Sequence, residues 1–257
     1  MSSEIFASVQ ELVNFAREKS PYYRRCYENL PQKDFNLTQI PIIDHTTFWV
    51  ANSRLPPENR VLTSPMTDAA VFRTGGTTAT PKASYVTREE IREGAKGWAA
   101  CLIRAGLQSG DRVANMLYGG DLYKGLLDLG LALTEASVPN FYLSIGVAAL
   151  ESQSWTIRTY AVNVLVAMPT VMSRLAEFLV EKNEPAHSVR LLLYIGELLH
   201  KDQKVLLRRA FPSAKIGPIQ YGSVDGGLIG LPFSPPSSTD NDDPTLIKSI
   251  GVPWSWS

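Results

Sequence analysis

Apolar and polar positions along this chain repeat in two periods, and the switches between them outline a series of elements. Ile5, Val9, Leu12, Val13 and Ala16 recur at three- and four-residue steps, which predicts an amphipathic helix that stops before Pro21. Ser20-Pro21-Tyr22-Tyr23-Arg24-Arg25 opens a second, short helix with proline in its permitted first turn. From Leu30 to Pro65 the chain is rich in Pro, Asn and Asp, the composition of a winding linker, with one short helix near Asp44 to Ala51. Val71 and Phe72 lead into a Gly/Thr-rich loop, and Ala83 to Val86 reads as the return strand. Thr87-Arg88-Glu89-Glu90 places a hydroxyl three residues before a glutamate, a capping box for a helix running to Ala105 and closed by Gly106.

Beyond Gly106 short apolar runs alternate with longer amphipathic ones. Strands are expected over Arg112 to Leu117, Ala136 to Phe141, Val162 to Ala167, Arg190 to Ile195 and Ala214 to Gln220. Helices are expected over Leu122 to Leu133, Val147 to Arg158, Pro169 to Lys182 and Lys201 to Phe211. Val162 to Ala167 is almost wholly apolar and β-branched, as for a strand covered on both faces. This alternation specifies an α/β fold, a mainly parallel sheet flanked by helices. Ligands of such sheets collect outside the carboxyl ends of the strands. Three stretches sit at such ends: Tyr118 to Tyr123, Gly196-Glu197 and Tyr221 to Gly227.

Composition narrows the function classes. With 257 residues and 44% hydrophobic content the chain can bury a sizeable core. Lys plus Arg equals Asp plus Glu at 25 each, so no electrostatic footprint favours nucleic acid or an anionic membrane. Cys26 and Cys101 lack metal or redox spacing, and a reduced intracellular chain accounts for them. Met1 to Gln10 has no basic and apolar leader pattern, and no run reaches the roughly 18–20 apolar residues of a membrane span. A cytoplasmic protein is the expectation. His45, His187 and His200 stand apart, in no metal-ligand or triad pattern.

Candidate chemistry concentrates at Val71 to Lys82, V-F-R-T-G-G-T-T-A-T-P-K. Gly75 and Gly76 let backbone N–H groups approach a ligand, Thr74, Thr77 and Thr78 add hydroxyl donors, and Lys82 adds a positive point charge; together these suit a polyphosphate. The bland reading is a turn between two strands. The order of residues is not that of a Walker loop, because the lysine comes last, after a proline. It resembles [ST]-[SG]-G-[ST]-T-G-x-P-K, the phosphate loop of adenylate-forming enzymes, with Ala79 in place of a glycine.

Further motifs in the same order make the chain similar to the phenylacetate–CoA ligase branch of that superfamily from about Leu12 to Gly230. They are the S-P-Y-Y-R-R entry, the Tyr118-Gly119 turn, the strand end Ala167 to Pro169, Ile195-Gly196-Glu197, and Tyr221-Gly222-Ser223-Val224-Asp225. The resemblance implies the large N-terminal domain fold of these enzymes and a ligase that activates an aryl or acyl carboxylic acid with ATP as its acyl-AMP, passing it to CoA or another thiol. It implies that Tyr221 stacks on adenine, that Gly222 and Ser223 lie beside it, and that Gly196 and Glu197 line the purine pocket. It also implies that Lys82 and Thr78 act on the phosphates, that Asp225 helps hold Mg²⁺, and that Tyr118, Gly119 and Tyr123 lie at the acid substrate. Each position has a structural reading too: Tyr221 as rim packing, Glu197 as a cap of the helix that follows, Asp225 as turn chemistry.

Departures from the pattern bear on activity. Val224 replaces a hydroxyl residue, and Asp225 is one methylene shorter than the family's glutamate. Against the family's pattern the expectation is a truncated form, without the ribose-binding aspartate and lysine-bearing C-terminal domain, and the alternative is a non-catalytic homologue that binds nucleotide or acts as an interaction module. The expected organisation is a helical and linker segment over 1–65, the nucleotide-binding core over 66–231, and a Pro/Ser-rich irregular tail over 232–257. The oligomeric state is open, with homodimers common among phenylacetate-ligase relatives.

Overall fold

The computed structural model describes residues 4–52, 58–74, 82–224, 226–232, 236, 247–249 and 255–256. The chain divides into two compact units, Met1–Ile91 together with Gly251–Ser257, and Arg92–Ile250.

The first unit opens with the short strand Glu4–Ile5 (β1) and the helix Val9–Lys19 (α1). The helix starts later than the apolar spacing predicts because Ser8 supplies its cap, accepting the Glu11 N–H at 3.2 Å. Pro21–Cys26 (α2) follows, capped by the Ser20 hydroxyl. Val13, Tyr27, Leu30 and Phe35 bury together as the small core of these two helices. Helix His45–Asn52 (α3) lies where a short helix is expected, its first turn capped by the Asp44 carboxylate, which accepts the Thr47 N–H at 2.8 Å. Ala69–Arg73 (β2) and Ala83–Thr87 (β3) pair as an antiparallel hairpin, with Arg73 opposite Ala83.

Thr87 and Glu90 form the expected capping box: the Thr87 N–H donates to the Glu90 carboxylate at 2.7 Å, and the Glu90 N–H donates to the Thr87 hydroxyl at 3.2 Å. They launch helix Arg88–Arg104 (α4). The second unit then runs Asp111–Asn115 (β4), Gly125–Glu135 (α5), Asn140–Ser144 (β5), Leu150–Thr159 (α6), Val164–Ala167 (β6), Pro169–Glu181 (α7), Leu191–Tyr194 (β7), Lys201–Ala210 (α8) and Lys215–Pro218 (β8). All five strands are parallel, in the order β5-β4-β6-β7-β8.

Strand alternation divides the core into two layers. Leu165, Ala167, Leu192 and Tyr194 pack with Ile157 of α6, Met172 and Leu175 of α7, and Leu207 of α8. Val164, Val166, Leu191 and Leu193 pack on the other face, with Leu102 of α4 and Leu129 and Leu133 of α5. Successive residues therefore feed opposite layers, which is why β6 and β7 are uninterrupted apolar runs. At the amino edge of the sheet Arg190 donates from Nε to Asp111 at 3.1 Å, pairs with the same carboxylate through Nη2, and donates to the Gly106 carbonyl at 3.1 Å.

Among the expected boundaries that move, two have a local cause. Strand β5 begins at Asn140 rather than Ala136 because Pro139, which has no N–H, cannot enter the ladder. Helix α5 begins at Gly125 rather than Leu122 because Gly120, Asp121 and Leu122 all have positive φ. Tyr221–Ser223 (β9), Gly227–Pro232 (β10) and Ile247–Ser249 (β11) form a separate antiparallel sheet in the order β11-β10-β9, and Ser255–Trp256 (β12) pairs antiparallel with β1. Strands β11 and β12 lie in the segment expected to be irregular; their hydrogen bonds go to distant partners that local composition does not reveal. Among the described residues no helix is long and apolar enough to cross a membrane.

Candidate active site

The strand order fixes where a ligand of the second unit would sit. The chain leaves β4 through α5, on one face, and leaves β6 through α7, on the other, although β4 and β6 are neighbours. Connections that part to opposite faces open a crevice outside the carboxyl ends of the two strands. The segment after β4 carries Tyr118, Gly119 and Tyr123; the segment after β6 runs into Pro169 and Thr170.

Asn115, fully buried at the end of β4, holds the first of these segments. Its side-chain amide donates to the Leu126 carbonyl at 2.9 Å, its side-chain oxygen accepts the Leu117 N–H at 3.3 Å, and its carbonyl accepts Ile145 and Gly146. The Tyr118 and Tyr123 rings lie 6.0 Å apart, with Tyr118 40% exposed. Gly119 has no room for a side chain, because a Cβ there would lie 2.5 Å from the Leu126 side chain. Three successive positive φ values at Gly120, Asp121 and Leu122 mark a backbone held in place by its surroundings. Behind the turn Lys124 donates to both oxygens of Asp128 at 2.7 Å, and burial holds the Asp128 carboxyl above its ordinary range in spite of that pairing.

Gly196 follows β7 with φ +86°, in the left-handed region that glycine adopts at no steric cost. The Glu197 carboxylate accepts the Thr170 N–H at 3.0 Å and also the Thr170 hydroxyl. Glu197 is thus a cap, but of α7, which precedes it, rather than of α8, which follows. An anion at a helix N-terminus satisfies free N–H groups and meets the positive end of the helix dipole.

Tyr221 follows β8 and begins β9, and the residue is 54% exposed. Its presentation depends on Gly222, where a Cβ would meet the Gly227 carbonyl oxygen at 2.4 Å. Ser223 accepts the Gly226 N–H at 2.9 Å and shapes the end of the hairpin. The parallel register therefore carries Tyr118, Gly119, Tyr123, Gly196, Glu197 and Tyr221 to the carboxyl edge of one sheet, with Gly222 and Ser223 on the strand that leaves it.

Thr74 and Lys82 belong to the first unit, where the Thr74 N–H donates to the Lys82 carbonyl at 3.0 Å and closes the base of the β2–β3 hairpin. Gly75, Gly76, Thr77, Thr78 and Asp225 lie outside the described residues. The Lys82 ammonium sits 2.8 Å from His45 Nε2 and 5.6 Å from the centre of the Trp49 ring, and Trp49 Nε1–H donates to the same His45 nitrogen at 3.0 Å. Asn52 donates to the Ala83 carbonyl at 3.0 Å. Histidine 45 and its helix carried no motif in the sequence; the spacing of His45, Trp49 and Asn52 at i, i+4 and i+7 was the available sign of a shared face.

No family model matches the chain. A curated relative, the indoleacetate–lysine synthetase of Pseudomonas savastanoi, is 24% identical over 212 residues, covering 81% of this chain and 51% of the relative. Crystal structures of 2-hydroxyisobutyryl-CoA ligase share its fold. The open conformation in complex with 2-HIB-AMP and CoA has a TM-score of 0.69 at 20% identity, over 82% of this chain and 51% of that one. The postadenylation state with 2-HIB-AMP has a TM-score of 0.70 at 20% identity, over 83% of this chain and 46% of that one. The chain spans about half the length of the relatives it matches.

Proposed function

We propose that this chain, whose fold is that of the adenylate-forming ligases, binds ATP and a carboxylic acid and joins them as an acyl-adenylate. The observation that carries the reading is the placement of Tyr118, Gly196-Glu197 and Tyr221 at the carboxyl edge of one parallel sheet, in the chain order of the family motifs. Tyr221 offers an exposed ring for a purine, and Gly222 removes the side chain that would keep β9 from its partner strand. The crevice after β4 and β6, rimmed by Tyr118 and Tyr123, takes the acid. Thr74 to Lys82 supplies the phosphate loop, with Gly75, Gly76, Thr77 and Thr78 donating to the polyphosphate and Lys82 countering its charge.

In the reaction a substrate carboxylate oxygen attacks the α-phosphorus of ATP, a phosphorus–oxygen bond forms, and the bond to the departing pyrophosphate breaks. A nucleophile then attacks the acyl carbon and AMP leaves. CoA or another thiol is one acceptor; the pairing of indoleacetate with lysine in the curated relative's name supports an amine as well. Mg²⁺, held with the help of Asp225, would offset charge on the phosphates when bound.

A second reading, a nucleotide-binding module without adenylation, is favoured by Val224, which places an apolar side chain where the family pattern has a hydroxyl. ATP–pyrophosphate exchange over a panel of aromatic and aliphatic acids tests the first reading directly. Exchange with at least one acid is expected; a folded protein that exchanges with none leaves only the second.

A further inference from the structure

We propose that His45 and Trp49 are positioning residues for Lys82, which hold its ammonium in place without cancelling its charge. The inference rests on the phosphate-loop reading for what that charge meets. The contact itself stands independently. A lysine ammonium and an indole N–H are donors only, so His45 Nε2, 2.8 Å from one and 3.0 Å from the other, is an acceptor and carries no proton. The proton of the neutral imidazole is thereby assigned to Nδ1. The Trp49 ring, 5.6 Å from the ammonium, offers its negative face to the same cation.

Both partners are neutral, which separates Lys82 from three ion-paired lysines of the chain. Lys124 is clamped on both oxygens of Asp128 at 2.7 Å, Lys96 on Glu93 at 2.7 Å, and Lys19 on Glu18 at 2.8 Å. Each of those cations has its field cancelled by a carboxylate. Among the described residues Lys82 has no carboxylate partner, so it is ordered and still uncompensated, which is what an incoming anion requires.

The helix that carries the pair is itself anchored to the hairpin. His45, Trp49 and Asn52 fall on one face of α3, and Asn52 donates to the carbonyl of Ala83, the residue after Lys82. Asn52 is buried and fixed in turn by Asn59, whose side-chain amide donates to the Asn52 side-chain oxygen at 2.9 Å. One face of one helix thus sets both the backbone beside Lys82 and the position of its charge.

Ligand-free protein reads the contact first. The emission of wild type minus that of Trp49→Phe isolates Trp49 among the five tryptophans. Lys82→Met is expected to change that difference spectrum in intensity or wavelength; an unchanged spectrum overturns the contact. Calorimetric titration with MgATP then reads the role, in variants whose melting temperature matches wild type. His45→Leu should bind MgATP about tenfold more weakly, as for loss of a hydrogen bond to a charged group, whereas His45→Gln, which keeps an acceptor oxygen, should stay within about twofold. Equal affinity of His45→Leu and wild type, or an equal loss in both variants, overturns the positioning role. Wild type that binds no MgATP would remove the nucleotide reading, while the emission comparison still decides whether His45 and Trp49 hold Lys82.

Discussion

The carboxylate of Glu197 accepts two hydrogen bonds from Thr170, one from its N–H at 3.0 Å and one from its hydroxyl, and so ties the turn after β7 to the first turn of α7. The residue that resembles a purine-pocket position is at the same time a helix cap, and the two roles predict different outcomes. Glu197→Ala should lower stability by about 1 kcal/mol in urea denaturation, the usual cost of removing a cap, and should speed amide exchange in the first turn of α7. Unchanged stability with weakened MgATP binding would assign Glu197 to the ligand instead.

Gly222 and Gly94 predict opposite signs for the same substitution. A Cβ at Gly222 would lie 2.4 Å from a backbone oxygen of the facing strand, which cannot move without opening the β9–β10 hairpin that presents Tyr221. Gly222→Ala should therefore lower stability by roughly 1–3 kcal/mol, the range for overpacking, and weaken MgATP binding at least about tenfold. Nothing lies within 4 Å of a Cβ built at Gly94, inside α4, so Gly94→Ala should raise stability by about 0.5–1 kcal/mol. Thermal melts of the two variants check both signs.

Asp111 is 3% exposed and its partner Arg190 is one-third exposed, so breaking the pair strands a cation that water can partly reach. The loss for Asp111→Ala should be roughly 2 kcal/mol, below the 3–5 of a fully buried pair. A loss under about 0.5 kcal/mol in urea titration would contradict a clamp at the amino edge of the sheet.

The elements that were legible in the sequence are those whose causes are local. The apolar runs of β6 and β7, the Thr87–Glu90 box and the prolines that open α2 and α7 each specify structure within a few residues. The parallel α/β architecture followed from their alternation. What was not legible depends on distant partners: the placement of β5 outside β4, the pairing of β11 with β10, and the contact of His45 with a lysine 37 residues away. Asn115 was likewise silent, since a polar residue closing an apolar strand gives no sign of the four hydrogen-bonding groups it organises around the Tyr118 turn until Leu126, Leu117, Ile145 and Gly146 surround it.

Burial pushes the Cys101 thiol up to about 11, well above its ordinary range. A group whose folded value is raised contributes stability that is fully present below its unfolded value, about 8.5 for a thiol, and lost as pH rises toward the folded one. Wild type should therefore lose stability relative to Cys101→Ala between pH of about 8.5 and 11, seen as converging or crossing melting temperatures. At pH 8 a thiol reagent should label Cys26, which is half-buried, and reach the buried Cys101 only after denaturation. A parallel pH dependence in the two proteins, or equal labelling rates, would contradict the burial of Cys101.

Calorimetric titration of the folded chain with MgATP, repeated on Tyr221→Ala, tests the central claim most directly. The account predicts one saturable site per chain in wild type and at least about tenfold weaker binding without the ring, which corresponds to the roughly 1–3 kcal/mol of a base stacked on an aromatic side chain. Binding that is absent from wild type, or unchanged in Tyr221→Ala, would contradict it.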